Sequence, residues 1–154
     1  MPKSKRPHRP APGAHKPAPE LSTKARGELS QLTFLYRAAH KGFMVSEPYG
    51  DNLRYDAIVD NGHRLSRIQV KSSGKEISPG RYHVNCGRRL GLGAVPYEKG
   101  EVDFLAVHLH REDVWYIIPF RAFAGRVSLT LVVPNHPGPC PYQRYLEAWP
   151  LLKK

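Results

Sequence analysis

The chain has 154 residues and 17.4 kDa, enough for one compact domain with a core and too short for two ordinary ones. Lys and Arg total 24 against 13 Asp and Glu, and a net charge of +11 points to a polyanionic partner, nucleic acid before any other. No apolar run approaches the roughly 18 residues of a spanning helix, and the basic N-terminus has no apolar h-region, so the expectation is no membrane and a soluble, cytoplasmic protein. Cys86 and Cys140 lack the close spacing of a zinc site or the number needed for a disulfide framework.

Charge is unevenly distributed. Residues 1–26 hold seven cations, Lys3, Lys5, Arg6, Arg9, Lys16, Lys24 and Arg26, against the single anion Glu20. Six prolines fall in the first twenty residues, which have almost no large apolar side chains to repay the entropy of ordering. Residues 1–22 therefore read as a disordered, basic, Pro-rich arm, with Lys3, Lys5 and Arg6 available to phosphates, and residues 23–154 as the folded domain. A solubilising tail is the plain alternative.

In chain order, Leu29, Leu32, Leu35, Tyr36 and Ala39 recur at helical spacing, which predicts a helix over 28–41 stopped by Gly42. Short strands follow at 43–45 and 55–59, with a Pro-Tyr-Gly-Asp-Asn loop between them. Asn61-Gly62 signals a two-residue hairpin turn into a strand at 65–72. A further strand is expected at 81–86, a glycine-rich loop at 90–97, and a strand buried on both faces within the apolar run 102–109. Another strand is expected at 115–119. Residues 127–133 have strand composition, and a short helix at 142–149 is stopped by Pro150. The fold class is α+β around a central mixed sheet.

The two-residue turn places Asp60 opposite His63 and Asp56 opposite Arg67. Side chains alternate, so Gln69 and Lys71 share the face of Arg67 and Asp56, while Ile68 and Val70 point to the other. A carboxylate, an amide oxygen and an ammonium then converge, a set suited to a hard divalent cation with a lysine left to orient or deprotonate water. The Val70 carbonyl is a further candidate oxygen ligand. Asp56 has a structural alternative as the ion-pair partner of Arg67.

Asp56 followed thirteen residues later by Gln69-Val70-Lys71 resembles the signature of PD-(D/E)XK nucleases, and within them the small endonucleases associated with group I introns, homing enzymes with Gln in the second acidic position. Arg26-Gly27-Glu28, Tyr49-Gly50-Asp51, Arg67-Ile68-Gln69-Val70-Lys71, Val102-Asp103-Phe104-Leu105-Ala106 and Asp113 to Pro119 carry the similarity across residues 26–120. The resemblance implies a restriction-endonuclease-like core, a central mixed sheet flanked by helices. It also implies hydrolysis of double-stranded DNA with magnesium (Mg²⁺, or Mn²⁺ in its place) by a homo-oligomer, dimer or tetramer. Asp56, Gln69, Val70 and Glu28 would hold the metal, with Lys71 activating water and Glu28 or Gln31 completing the catalytic set. Gln31 stands where the family's helix Glu is expected; Glu28, three residues earlier, is the substitute, and it equally suits the helix dipole. A non-catalytic nucleic-acid-binding module and a Holliday-junction-resolvase-like nuclease are the alternatives.

Arg67 and the Arg88-Arg89 stretch are expected to contact the DNA backbone; the Gly87–Gly93 segment lacks the ending of a phosphate-binding P-loop. His108 and His110, without an accompanying H-x-E or C-x-x-C, read as solvent-facing or core-satisfied rather than zinc-binding. Trp115, Tyr116 and Trp149 are assigned to the core or an interface.

Overall fold

The computed structural model describes residues 20–50 and 52–154. The arm expected over residues 1–22, with Lys3, Lys5 and Arg6, lies outside the described residues except for its last three. Of these, Ser22 caps α1 (Thr23–His40), accepting from the Ala25 amide at 3.1 Å. The helix begins five residues earlier than its apolar periodicity suggests. Its buried stripe is Ser30, Phe34 and Ala38, whereas Leu29, Leu32 and Tyr36 are exposed.

The central sheet is mixed, ordered β1 (Met44–Ser46), β2 (Ala57–Asp60), β3 (Leu65–Ser72), β8 (Phe104–Leu109), β9 (Val114–Pro119). Only β3 and β8 run parallel. Between them the chain makes a second, antiparallel sheet from β4 (Lys75–Ser78), β5 (Arg81–Asn85) and later β10 (Ser128–Val132), plus a separate hairpin of β6 (Arg88–Leu90) and β7 (Gly93–Val95). Strand β4 is exposed throughout and carries no alternation, and the 90–97 segment expected as a loop is largely hairpin. Short helix α2 (Phe120–Phe123) follows β9, and the C-terminal region forms 3-10 turns at Gln143–Tyr145 and Trp149–Lys153, with Pro150 inside the second rather than ending a helix. Both cysteines are free. Among the described residues no helix is long and apolar enough to cross a membrane.

Alternation along β3 and β8 sorts the core into two layers. Ile68, Val70, Phe104 and Ala106 pack with Phe34 and Ala38 of α1, Trp115 and Trp149. Leu105, Val107 and Leu109 face the second sheet through Val84, Leu129 and Leu131. The β8 run is buried at every position, as its continuous apolar sequence requires.

A polar latch ties α1 to the β8–β9 turn. Ser30, fully buried, lies 3.2 Å from His108 Nδ1 and 2.9 Å from His110 Nε2, and His108 Nε2 lies 3.0 Å from Asp113 Oδ1. His108 also stacks flat on Trp115 at 4.4 Å. The Ser-His-Asp order imitates a nucleophilic triad, but Ser30 has no access to solvent, so the network serves to satisfy buried polar groups.

Candidate active site

The hairpin register differs from the expected one. Asn61 Oδ1 accepts from the His63 and Arg64 amides, and the Asn61 amide donates to the Arg64 carbonyl, so residues 61–64 form a four-residue loop rather than a two-residue turn. The pairs become Ala57 with Ile68 and Ile58 with Arg67, and the same register sets Asp56 beside Gln69 instead of Arg67. A shift of two residues preserves every side chain's face. Asp56, Gln69 and Lys71 therefore remain on one surface, opposite α1.

Asp56 sits just before β2. Its Oδ2 accepts from Gln69 Nε2 and, at 2.8 Å, from the Val70 amide. Val70 thus contributes its N–H, and its carbonyl lies 3.4 Å from Gln69 Nε2. Two oxygens, Asp56 Oδ1 and Gln69 Oε1, have no protein donor among the described residues and are not sealed from solvent. One anionic and one neutral oxygen, open to water on a rigid strand pair, form a hard donor set that fits a divalent cation retaining several waters.

Burial raises the Asp56 carboxyl above its usual range, only partly countered by the Val70 amide, the Lys71 charge and the Gln69 amide. Burial likewise lowers Lys71, with Asp56 acting in the opposite sense. Each group is pushed toward its neutral form because protein has replaced water around it. Both line a cleft of about 680 Å³ whose far wall is the β6–β7 hairpin, with Arg54 and Leu53 at its rim. Opposed shifts in neighbouring titratable groups within a cleft are what acid-base chemistry uses.

The helix residues contribute differently from expectation. Glu28 is exposed and pairs with Lys24 at 3.8 Å; it lies about 200° around the helix from the buried Ser30, so packing of the Ser30, Phe34, Ala38 stripe turns it away from the site. Gln31 does approach. Its Nε2 donates to Glu47 Oε1 at 2.9 Å and reaches the Asp56 carbonyl at 3.3 Å, so it supports the Asp56 backbone rather than its carboxylate. Glu47, just past β1, shares a smaller recess with Gln31 and Asp56 and is absent from the sequence-based site. No spacing rule links it to the motif; only the return of β1 beside β2 brings it near.

Arg67 is engaged elsewhere. Asp103 Oδ2 accepts from its amide at 2.8 Å and from Nε at 3.1 Å, and the Gly100 carbonyl accepts from Nη1. These donors hold Asp103 below the usual carboxylate range against the opposing effect of its burial. Arg88 lines the cleft but lies 3.2 Å from Glu98 and 3.3 Å from Glu101, whereas Arg89 has no acidic partner within 4 Å among the described residues. Cys86, just past β5, is buried, and burial pushes its thiol up to about 11, away from the thiolate form.

The family model described as PD-(D/E)XK endonuclease matches residues 21–151. Among solved structures the chain is similar to a bacterial homing endonuclease, I-Ssp6803I, with 30% identity and a TM-score of 0.72 over 86% of this chain and 91% of that one. It is also similar to the Archaeoglobus fulgidus Hjc, a Holliday junction resolvase from an archaeal hyperthermophile, with 14% identity and a TM-score of 0.46 over 69% of this chain and 83% of the other. A search of curated proteins gave no match.

Proposed function

Since the chain belongs to the PD-(D/E)XK endonuclease family and is a nuclease by that membership, we propose that it hydrolyses phosphodiester bonds of double-stranded DNA with Mg²⁺, or Mn²⁺, at the cleft of Asp56, Gln69 and Lys71. The observation that carries this reading is the Asp56 carboxylate, fixed by Gln69 and the Val70 amide in the cleft that also receives Lys71.

Asp56 and Gln69 would hold the cation. When bound, the ion supplies charge neutralisation and Lewis-acid polarisation of a phosphoryl oxygen. Asp56 is kept in one rotamer by its two donors, and its partial burial strengthens its attraction for positive charge. Gln69 orients Asp56 through Nε2 and leaves Oε1 for the cation. Lys71, with its lowered proton affinity, positions the attacking water and exchanges a proton at Nζ. In the overall reaction a water oxygen bonds to phosphorus, an ester P–O bond breaks, and the departing oxygen takes a proton. Gln31 and Glu47 support the Asp56 backbone from the other side. Arg89 and the basic N-terminal segment bind phosphates, which makes affinity fall steeply with salt. The chain works as a homo-oligomer, since each site addresses one strand of a duplex.

The test is nicking of supercoiled plasmid. Wild-type protein is expected to cut with Mg²⁺ or Mn²⁺ and to be inert in EDTA, and Lys71→Ala to bind the plasmid while losing at least about 100-fold in rate, the scale of a lost acid-base group. Undiminished cutting by Lys71→Ala would refute the assignment. Binding without cutting under every metal condition would show a site that has lost hydrolysis.

A further inference from the structure

The β6–β7 hairpin is not hydrogen-bonded into either larger sheet, yet it forms one wall of the catalytic cleft. Its base is held firmly. Arg88 lies against Glu98 and Glu101, and a Cβ on Gly87 would come within 2.8 Å of the Val95 carbonyl, so the two strands are packed too closely there for any side chain. Its tip is different. Leu90 and Gly93 pair, leaving Gly91 and Leu92 as the two loop residues, with Gly91 at φ +57° taking the left-handed position. Leu92 makes no such backbone demand, and a polar residue would serve the turn equally well. Instead it is the most exposed large apolar side chain of the described residues, with Leu90 also exposed beside it.

A lone exposed leucine means little. Leu92, however, lines the same cleft as Asp56 and Lys71, and Leu53, half exposed, stands in that cleft's lining too. Arg89 and Arg54 accompany these apolar residues in the lining, Arg54 lying 3.7 Å from Glu101, so guanidinium and aliphatic groups share the cleft. That combination matches a duplex: cations for phosphates, and a narrow apolar projection for the stacked bases, which proteins part by inserting Leu, Ile, Met or Phe at a base step. We propose that the hairpin tip is a DNA wedge, in which Leu92 enters a groove beside the scissile phosphate and unstacks one base step while Arg89 holds the flanking backbone. The inference rests on the DNA-cleaving reading of the cleft. It adds a deformation step, and with it a preference for easily unstacked pyrimidine-purine steps near the cut.

Unstacking unwinds DNA, which closed circular plasmid reports without knowledge of a target site. Plasmid is relaxed by a metal-independent topoisomerase in EDTA, where no hydrolysis occurs, with saturating wild-type protein, Leu92→Ala or Leu92→Met. Wild type and Leu92→Met are expected to shift the topoisomer distribution. Leu92→Ala should bind within about threefold of wild type, with the same salt dependence because no phosphate contact is lost, and give less than half the shift. Arg89→Ala should instead lower the salt slope by about one unit. An equal shift by Leu92→Ala, or no shift by bound wild type, overturns the wedge while leaving the nuclease reading intact. Absence of plasmid binding by wild type in EDTA and in Mg²⁺ alike overturns both.

Discussion

Replacing Asp56 by asparagine separates the electrostatics of the site from its chemistry. The native carboxylate carries its charge in a largely desolvated position, and burial outweighs its two hydrogen bonds and Lys71 in setting its proton affinity. The Asp56→Asn side chain keeps an oxygen for the Val70 amide and Gln69 Nε2 and turns its own amide toward the open cleft, so no hydrogen bond is lost. An upward shift is a native-state cost at every pH above the folded pKa, so removing the charge should stabilise the metal-free protein. For a domain of this size each 1 kcal/mol so recovered raises Tm by about 2–4 °C. The sign follows from linkage: with the folded pKa raised, the native state binds more protons between the usual carboxylate value and the folded value, so the cost grows as pH rises through that window and is constant above it. Thermal melts in EDTA should therefore show Asp56→Asn more stable than wild type at pH 7 and equal to it near pH 3. Added Mg²⁺ should raise the wild-type Tm and leave Asp56→Asn unmoved. A variant less stable than wild type at pH 7 would refute the claim that desolvation dominates at Asp56.

Gln31→Glu would place a second carboxylate against Glu47 and remove the donor to the Asp56 carbonyl, lowering stability by about 1–2 kcal/mol; Gln31→Glu/Glu47→Gln should recover the part due to carboxylate repulsion in urea melts, because an amide at position 47 can donate back across the contact, while the donor to the Asp56 carbonyl stays lost. A double variant no better than Gln31→Glu would show that the contact contributes nothing. His108 is held below its usual proton affinity chiefly by burial, with His110 and Arg37 acting in the same sense and Asp113 against them. The latch should therefore be at full strength above about pH 6.5 and weaken as pH falls below it, and urea melts from pH 7.5 to 5 should show a slope that His108→Gln flattens.

What is legible in the sequence divides along physical lines. The β3 and β8 strands can be read because burial on both faces demands continuous apolar sequence, and the parity of a strand is insensitive to a two-residue error in loop length. That is why Asp56, Gln69 and Lys71 fall on one face even under the wrong register. Helix α1 is harder. Its inward stripe begins with Ser30, a polar residue made tolerable only by His108 and His110 from a strand some eighty residues away, while Leu32 and Tyr36, which fit the periodic pattern, face solvent. The β6–β7 hairpin escapes a sequence reading for a related reason: its glycines meet a turn and a close backbone approach, requirements that composition alone reads as a loop. Glu47 has no local signal at all.

The nearness of Asp56 to Lys71 bears on how little formal charge the proposed site would need. Neutral Gln69 and Gln31 leave Asp56 as the one carboxylate lining the main cleft among the described residues, and in water a single exposed carboxylate would hold a divalent ion weakly. Here the carboxylate is desolvated, so its attraction for a cation is larger, and the cost of its burial is relieved when positive charge arrives. Lys71 stands in the mirror situation: its burial is offset when a phosphate brings negative charge. Neither change is independent. A phosphate alone would face an unneutralised Asp56, and a cation alone would face Lys71, whereas together each offsets the other's repulsion. Under the proposed function, cation and DNA binding are therefore expected to reinforce one another, and removing either Asp56 or Lys71 is expected to abolish that coupling along with hydrolysis.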